Sequence, residues 1–269
     1  MSLTEEDVRR LAAELREAEL RAAPIRPISD RHPDADIADA YRIQLEVTRL
    51  RVAEGDAVRG HKVGLTARVM QQQFGVDQPD FGHLFGSMFH PEGTPLPVDA
   101  LIAPRVEPEL AFVLDRPLQG PGVTVADVLA ATAFVLPALE IIDSRITDWR
   151  IGIVDTVADN ASSARVVLGG TRTPIAGLDP RLMGVVLRRN GEIVETGAGG
   201  AVLGNPAQAV AWLATTIAGS GGSLRAGDLI MPGTCTRAVD MQPGDTVRAD
   251  FEHLGHVGVA FSAGRERAA

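Results

Sequence analysis

The stretch Pro104-Arg105-Val106-Glu107-Pro108-Glu109-Leu110-Ala111-Phe112-Val113-Leu114 sets two carboxylates one proline apart and then runs directly into apolar residues of strand character. Side chains at i and i+2 of a strand share a face, so Glu107 and Glu109 project together, about 7 Å apart at their Cα atoms. Two like charges held that close repel unless a positive group sits between them, and the simplest such group is a divalent cation. A solvated strand face accounts for the same pair, so a third ligand has to decide. Pro108 lacks a backbone donor, which suits a strand edge or a bulge beside an open site.

Glu140, in Pro137-Ala138-Leu139-Glu140-Ile141-Ile142, is the candidate third ligand. A carboxylate flanked by apolar residues is costly to bury alone, so it either turns outward or meets a cation. With Glu107 and Glu109 it makes an all-oxygen set suited to Mg²⁺ or Mn²⁺ rather than Zn²⁺. None of the six histidines has a zinc-like spacing such as His-x-x-x-His.

Three further segments carry polar groups able to do chemistry. Gly60-His61-Lys62-Val63-Gly64-Leu65-Thr66 sets a lysine, in a chain that otherwise uses arginine, between glycines, where backbone can approach a ligand closely. Lys62 there either neutralises an anion and moves protons or is a surface lysine on a strand. Gly75 to Gly82 reads as a loop whose aspartates, Asp77 and Asp80, are acid/base candidates or turn-formers. Asp159-Asn160-Ala161-Ser162-Ser163 has the small polar composition of a loop that receives oxygen atoms.

Outward from these segments, the chain divides by texture into residues 1–57 and 58–269. Residues 4 to 22 read as an amphipathic helix, with Thr4 and Asp7, or Ser2 and Glu5, as a capping box and Leu11, Leu15 and Ala18 on one face. Asp36 caps a second helix, Ile37 to Glu54, with Tyr41, Leu45 and Thr48 sharing a face. From Val58 onward, short apolar runs alternate with Gly, Pro, Asn and Asp turns, the pattern of a β-rich body. Asn190-Gly191 joins two strands in a type I′ hairpin, and Asn205-Pro206 starts a helix that ends at Gly219. The fold class is α+β and mostly β, with an N-terminal helical extension.

A net charge of −9 argues against nucleic acid and anionic membranes as partners. Cys235 is the only cysteine, so no intrachain disulfide forms, which fits a reducing compartment. The N-terminus lacks the pattern of a secretory signal, and the apolar run Leu129 to Ile142 is too short to span a bilayer. A cytoplasmic location is expected.

Taken together, the Gly60–Thr66 segment, the Gly75–Gly82 loop, Arg105-Val106-Glu107-Pro108-Glu109, Leu136-Pro137-Ala138-Leu139-Glu140, Ser144-Arg145-Ile146-Thr147-Asp148-Trp149 and Asp155 to Ser162 occur in an order and spacing that resembles the 2-keto-4-pentenoate hydratases, in the hydratase/decarboxylase branch of the fumarylacetoacetate hydrolase superfamily. The resemblance covers nearly the whole chain. It implies a mixed β-roll body with a helical N-terminal extension, assembled as a homo-oligomer. It implies Glu107, Glu109 and Glu140 as ligands of Mg²⁺ or Mn²⁺, Lys62 and Asp80 as catalytic groups, and Leu65 and Ser162 in the substrate pocket. The implied reaction is hydration of 2-hydroxypenta-2,4-dienoate to 4-hydroxy-2-oxopentanoate. 4-Oxalocrotonate decarboxylases and 2-oxo-hept-4-ene-1,7-dioate hydratases share the same motifs. Arg237, in Met231-Pro232-Gly233-Thr234-Cys235-Thr236-Arg237, either binds a second substrate carboxylate or pairs structurally with an acidic neighbour. A non-catalytic binding protein would have shed a ligand glutamate or the lysine, and all four are present.

Overall fold

In the computed structural model, which describes residues 3–263, two sheets face each other and a helical layer lies at one end. The elements in chain order are α1 (Glu5–Arg21), α2 (Ile28–Arg31), α3 (Ile37–Ala53), β1 (Val58–Gly64), α4 (Arg68–Phe74), β2 (Asp80–Phe85), β3 (Phe89–His90), β4 (Leu96–Pro97), β5 (Arg105–Leu114) and α5 (Val125–Ala131). There follow β6 (Thr132–Ile142), α6 (Ile153–Ala158), β7 (Ser163–Leu168), β8 (Gly184–Arg189), β9 (Glu192–Ala198), α7 (Pro206–Ala218), β10 (Leu229–Met231), β11 (Val239–Asp240), β12 (Thr246–Phe251) and β13 (Gly255–Ser262). The larger sheet runs β2-β1-β10-β5-β6-β7-β3, with β11 also on β5, and the smaller runs β4-β13-β12-β8-β9.

Alternation along β5 and β6 gives each face of the larger sheet its own task. Val106, Leu110, Phe112, Val135, Leu139 and Ile141 turn toward Val185, Leu187, Val247, Val257 and Phe261 of the smaller sheet and form the main core with α5 and α7. Ala111, Leu136 and Ala138 turn the other way, onto Leu84, Phe85 and Met88. That second face also carries Glu107, Glu109 and Glu140. Proline within β5 is tolerated because the ladder on that side is split. β11 pairs with Arg105 and Val106, β10 pairs with Phe112 and Val113, and between them the Pro108 carbonyl accepts from the Cys235 amide at 3.2 Å. Pro108 thus sits at a gap in a central strand, where no strand needs its missing N–H.

The N-terminal helices begin as their caps dictate. The Thr4 hydroxyl accepts from the Asp7 amide, and the Asp36 side chain caps α3 in the same way. Ser2, the alternative cap, lies outside the described residues. Leu11, Leu15, Ile43 and Val47 share a core with Val154, Val157 and Ala158 of α6, so this unit is joined to the body through α6. The face of α3 differs from expectation. Leu45 is exposed, and the helix instead buries Ala40, Ile43, Gln44, Val47 and Arg51. Gln44 and Arg51 are paired in the interior: the Gln44 amide donates to the carbonyls of Phe81 and Val157, and Arg51 meets Glu19 at 2.6 Å. Periodicity of apolar residues alone misses such polar positions.

The hairpin at Asn190-Gly191, with φ of 54° and 85°, and the Asn205-capped α7 stand where expected. The apolar run Leu129 to Ile142 is a helix end followed directly by a strand. No helix among the described residues is long and apolar enough to cross a membrane.

His61 and His83 are cross-strand partners on β1 and β2, with ring centroids 5.1 Å apart and both buried. Burial, together with the nearby Arg225, lowers His61 to about 4; burial and His61 lower His83 to about 3. The unfolded chain therefore takes up these protons first, near pH 6.5, and their contribution to stability is present above that pH and lost on acidification toward pH 4. Between pH 7 and pH 5, stability measured by urea unfolding should fall in the wild type relative to His61→Gln, because the raised carboxyls of Glu107 and Glu109 act alike in both; an equal pH dependence in the variant would contradict the assignment.

Candidate functional site

The β5–β6 register sets Glu107 directly opposite Glu140, while Glu109 stands two residues along on the same face. The three carboxylates bring ligand atoms within 4.8 Å of one another. Glu109 and Glu140 are buried and Glu107 is half-buried. Glu109 is held from the side, since the Gly233 amide donates to its Oε2 at 2.8 Å. Neither oxygen of Glu140 has a hydrogen-bond donor among the described residues. A carboxylate so placed calls for a cation.

One cation is present. Lys62, the single lysine of the sequence, is buried on β1 with its Nζ 3.5 Å from Glu140 Oε2 and donates to the Ala161 carbonyl at 3.0 Å. Burial disfavours its charge, but Glu140, Asp80, Glu107 and Glu109 outweigh that and hold it protonated. One ammonium cannot balance four carboxylates. Burial pushes Glu107 up to about 7, with Lys62 opposing and Glu140 and Asp80 reinforcing; Glu109 is raised by burial, Glu140 and Glu107. With all four ionised, the charges against one ammonium leave −3, and a divalent ion brings that to −1. The all-carboxylate donor set fits a hard divalent cation.

Asp80 opens strand β2 opposite Gly64 and is buried; the loop expected from Gly75 to Gly82 ends one residue before it. Its carboxyl is raised by burial, with Lys62 opposing and Glu140 adding to the rise, and its Oδ1 has no hydrogen-bond partner among the described residues. The flanking glycines serve the protein's own packing rather than ligand approach. A Cβ at Gly64 would lie 2.2 Å from Asp80 Oδ1, and one at Gly60 would lie 1.8 Å from the Leu229 carbonyl of β10.

Asn160, Ala161 and Ser162 all have positive φ, 55°, 50° and 56°. Such a run costs on the order of 1 kcal/mol or more per residue and persists only where the surroundings enforce it. Here they do: the Asn160 side chain accepts from the His83 amide at 2.7 Å and donates to its carbonyl at 2.9 Å, and the Ser162 carbonyl accepts from the Asp143 amide at 2.8 Å. Asp159, just ahead, pairs with the buried Arg145. The turn aims the Ala161 carbonyl at Lys62 and leaves Ser162 Oγ buried with no partner among the described residues. Leu65, with a φ of 54°, follows Gly64 and is half-buried.

Arg237 does not join this group. Its side chain is 86% exposed and its guanidinium grips Glu195 of β9 at 2.7 Å, a pairing with an acidic neighbour. Sequence reasoning missed three contributors: the Gly233 amide, the Asn160 clamp and the Arg145–Asp159 pair. Backbone donors leave no side-chain signature, and Asn160 gains its partner only when β2 lies beside the turn.

The family model for the fumarylacetoacetate hydrolase C-terminal domain matches residues 52–261. The chain belongs to the fumarylacetoacetate hydrolase family. Within that family it is 46% identical over 252 residues to a 2-keto-4-pentenoate hydratase of Paraburkholderia xenovorans (strain LB400), covering 94% of each chain. It is 42% identical to a 4-oxalocrotonate decarboxylase of Pseudomonas sp. (strain CF600), covering 97% of this chain and 98% of that one. The solved structure of 4-oxalocrotonate decarboxylase from Pseudomonas putida G7, complexed with magnesium and adipate, superposes with a TM-score of 0.94 at 40% identity, covering 96% of this chain and 98% of that one.

Gly64→Ala forces its new methyl against Asp80 and is expected to destabilise the protein by about 1–3 kcal/mol in urea melts. Gly170→Ala, where a Cβ would meet nothing within 4 Å, is the matched control and should be close to neutral. Equal melts for the two variants would show that Asp80 is not packed as described.

Proposed function

We propose that this protein catalyses the metal-dependent hydration of 2-hydroxypenta-2,4-dienoate to 4-hydroxy-2-oxopentanoate. The observation that carries the reading is the Glu107–Glu109–Glu140 set, two of its members buried and one half-buried, with Lys62 against it and Asp80 nearby. Glu107, Glu109 and Glu140 would hold Mg²⁺ or Mn²⁺. When bound, the ion supplies Lewis acidity to a developing enolate, a contribution of several kcal/mol.

The protein's own groups account for the remaining requirements. The dienol loses its enol proton and gains one at C5, giving the 2-oxo-3-enoate, and water then adds its oxygen at C4 and its proton at C3. Lys62, kept charged by four carboxylates, can hold negative charge on the substrate oxygen. Asp80, raised by burial and with one oxygen that has no hydrogen-bond partner among the described residues, is the candidate to take or give a proton. Ser162 Oγ, in the same turn that positions Lys62, has no hydrogen-bond partner among the described residues, and Leu65 is assigned to the pocket wall. The net charge of −9 favours a small-molecule substrate over nucleic acid or an anionic membrane. We assign the protein to the cytoplasm as a homo-oligomer, with residues 1–57 as a helical extension on a catalytic body of 58–269.

A second reading, decarboxylation of 4-oxalocrotonate, is favoured by the TM-score of 0.94 to a 4-oxalocrotonate decarboxylase. A substrate panel with Mg²⁺ or Mn²⁺, varying the distal group from hydrogen to methyl to carboxylate, separates the two by product. 4-Hydroxy-2-oxopentanoate is expected, and CO₂ release from 4-oxalocrotonate would favour the decarboxylase. Glu107→Gln and Glu140→Gln should each lower turnover by about 10²-fold or more. Full activity of both in metal-free buffer would sink the metal mechanism.

A further inference from the structure

A polar cavity of about 410 Å³ lies against α1, the end of α3 and β7 and is lined by Arg16, Glu19, Arg21, Arg51, Asp99 and Arg165 among others. It shares no residue with the Glu107–Glu109–Glu140 cluster. Four guanidiniums meet two carboxylates in that wall, but the excess is not spread evenly. Arg16 is matched by Glu19 and Glu54, each at 2.7 Å, and Arg21 by Glu17. Arg51, which is 4% exposed, is matched by Glu19 at 2.6 Å and Asp56 at 3.3 Å. Arg165 has no carboxylate in ion-pair contact among the described residues, and the one hydrogen bond its guanidinium makes to them goes to the Ala164 carbonyl, at 2.8 Å. Burial lowers the pKa of this half-buried guanidinium, Glu19 and Asp143 only partly offset that from a distance, and Arg51 and Arg145 repel it.

A half-buried cation crowded by other cations is unfavourable unless an anion completes it. A guanidinium fork matches carboxylate and phosphate oxygens two at a time, which ammonium groups cannot do. From the cavity's size, its polar wall and the unmatched Arg165, we infer that this is a binding site for a small oxyanion, a dicarboxylate or a phosphate. The anion sits on Arg165 and is held within the rim that Arg16 and Arg51 form. The site is separate from the proposed reaction centre and does not depend on it.

The test uses inorganic phosphate and succinate as probes, titrated by calorimetry and by thermal unfolding into the full chain at ionic strength kept constant with chloride. Saturable binding and a rising Tm are expected for the wild type, with affinity weakened about ten-fold or more in Arg165→Gln. Arg165→Lys should recover part of the loss, showing that charge recognition and not folding is at stake. Arg181→Gln, which alters a surface arginine paired with Asp179, should bind like the wild type. The proposal is overturned if neither probe binds, or if Arg181→Gln weakens binding as much as Arg165→Gln. It is also overturned if Arg165→Gln changes the sedimentation mass while the probes leave the wild type unmoved, since an acidic group of a second copy would then occupy the cavity.

Discussion

The cross-strand pairing of Glu107 with Glu140 is the constraint around which the rest of the structure is arranged. It places two carboxylates face to face in the middle of a buried sheet, and the i+2 alternation adds a third. Such a concentration of negative charge would unfold the sheet or force protonation if left alone. The fold answers with Lys62, delivered from β1 across the short strand β10, and with geometry suited to a divalent ion.

Bringing that lysine in requires strands to approach more closely than side chains normally allow. Gly60 admits the β10 backbone, Gly64 admits the Asp80 carboxylate, and Gly82 admits the Asn160 carbonyl, which a Cβ would meet at 2.5 Å. The strained turn at 160–162 is held between the Asn160 clamp on β2 and the Arg145–Asp159 pair, and it in turn provides the carbonyl that Lys62 binds. Lys62 is therefore fixed from two directions, by charge and by a hydrogen bond. A fixed ammonium loses little orientational freedom when charge develops beside it.

Much of this is legible in the sequence. Capping residues announced α1, α3 and α7, the Asn190-Gly191 pair announced the hairpin, and the Glu-Pro-Glu spacing announced a shared strand face. Local physics governs each of these. The errors came where distant segments intervene. The Tyr41, Leu45 and Thr48 face is not the one α3 buries, because two of its interior positions, Gln44 and Arg51, are polar and become tolerable only through Phe81, Val157 and Glu19. Asp80 read as a loop residue because strand β2 is defined by its partner β1 rather than by its own composition.

The sequence by itself determined the chemical inventory: three glutamates, one lysine and one aspartate, set in segments whose periodicity says which face each residue occupies. Tertiary structure decided which of them meet. Register, a property of two strands at once, put Glu140 across from Glu107. It likewise left Arg237 on the surface with Glu195, since an arginine's partner depends on which strand lies beside it. The same holds for Arg165, whose lack of a carboxylate partner among the described residues is a fact about its neighbours and is written nowhere in its own segment.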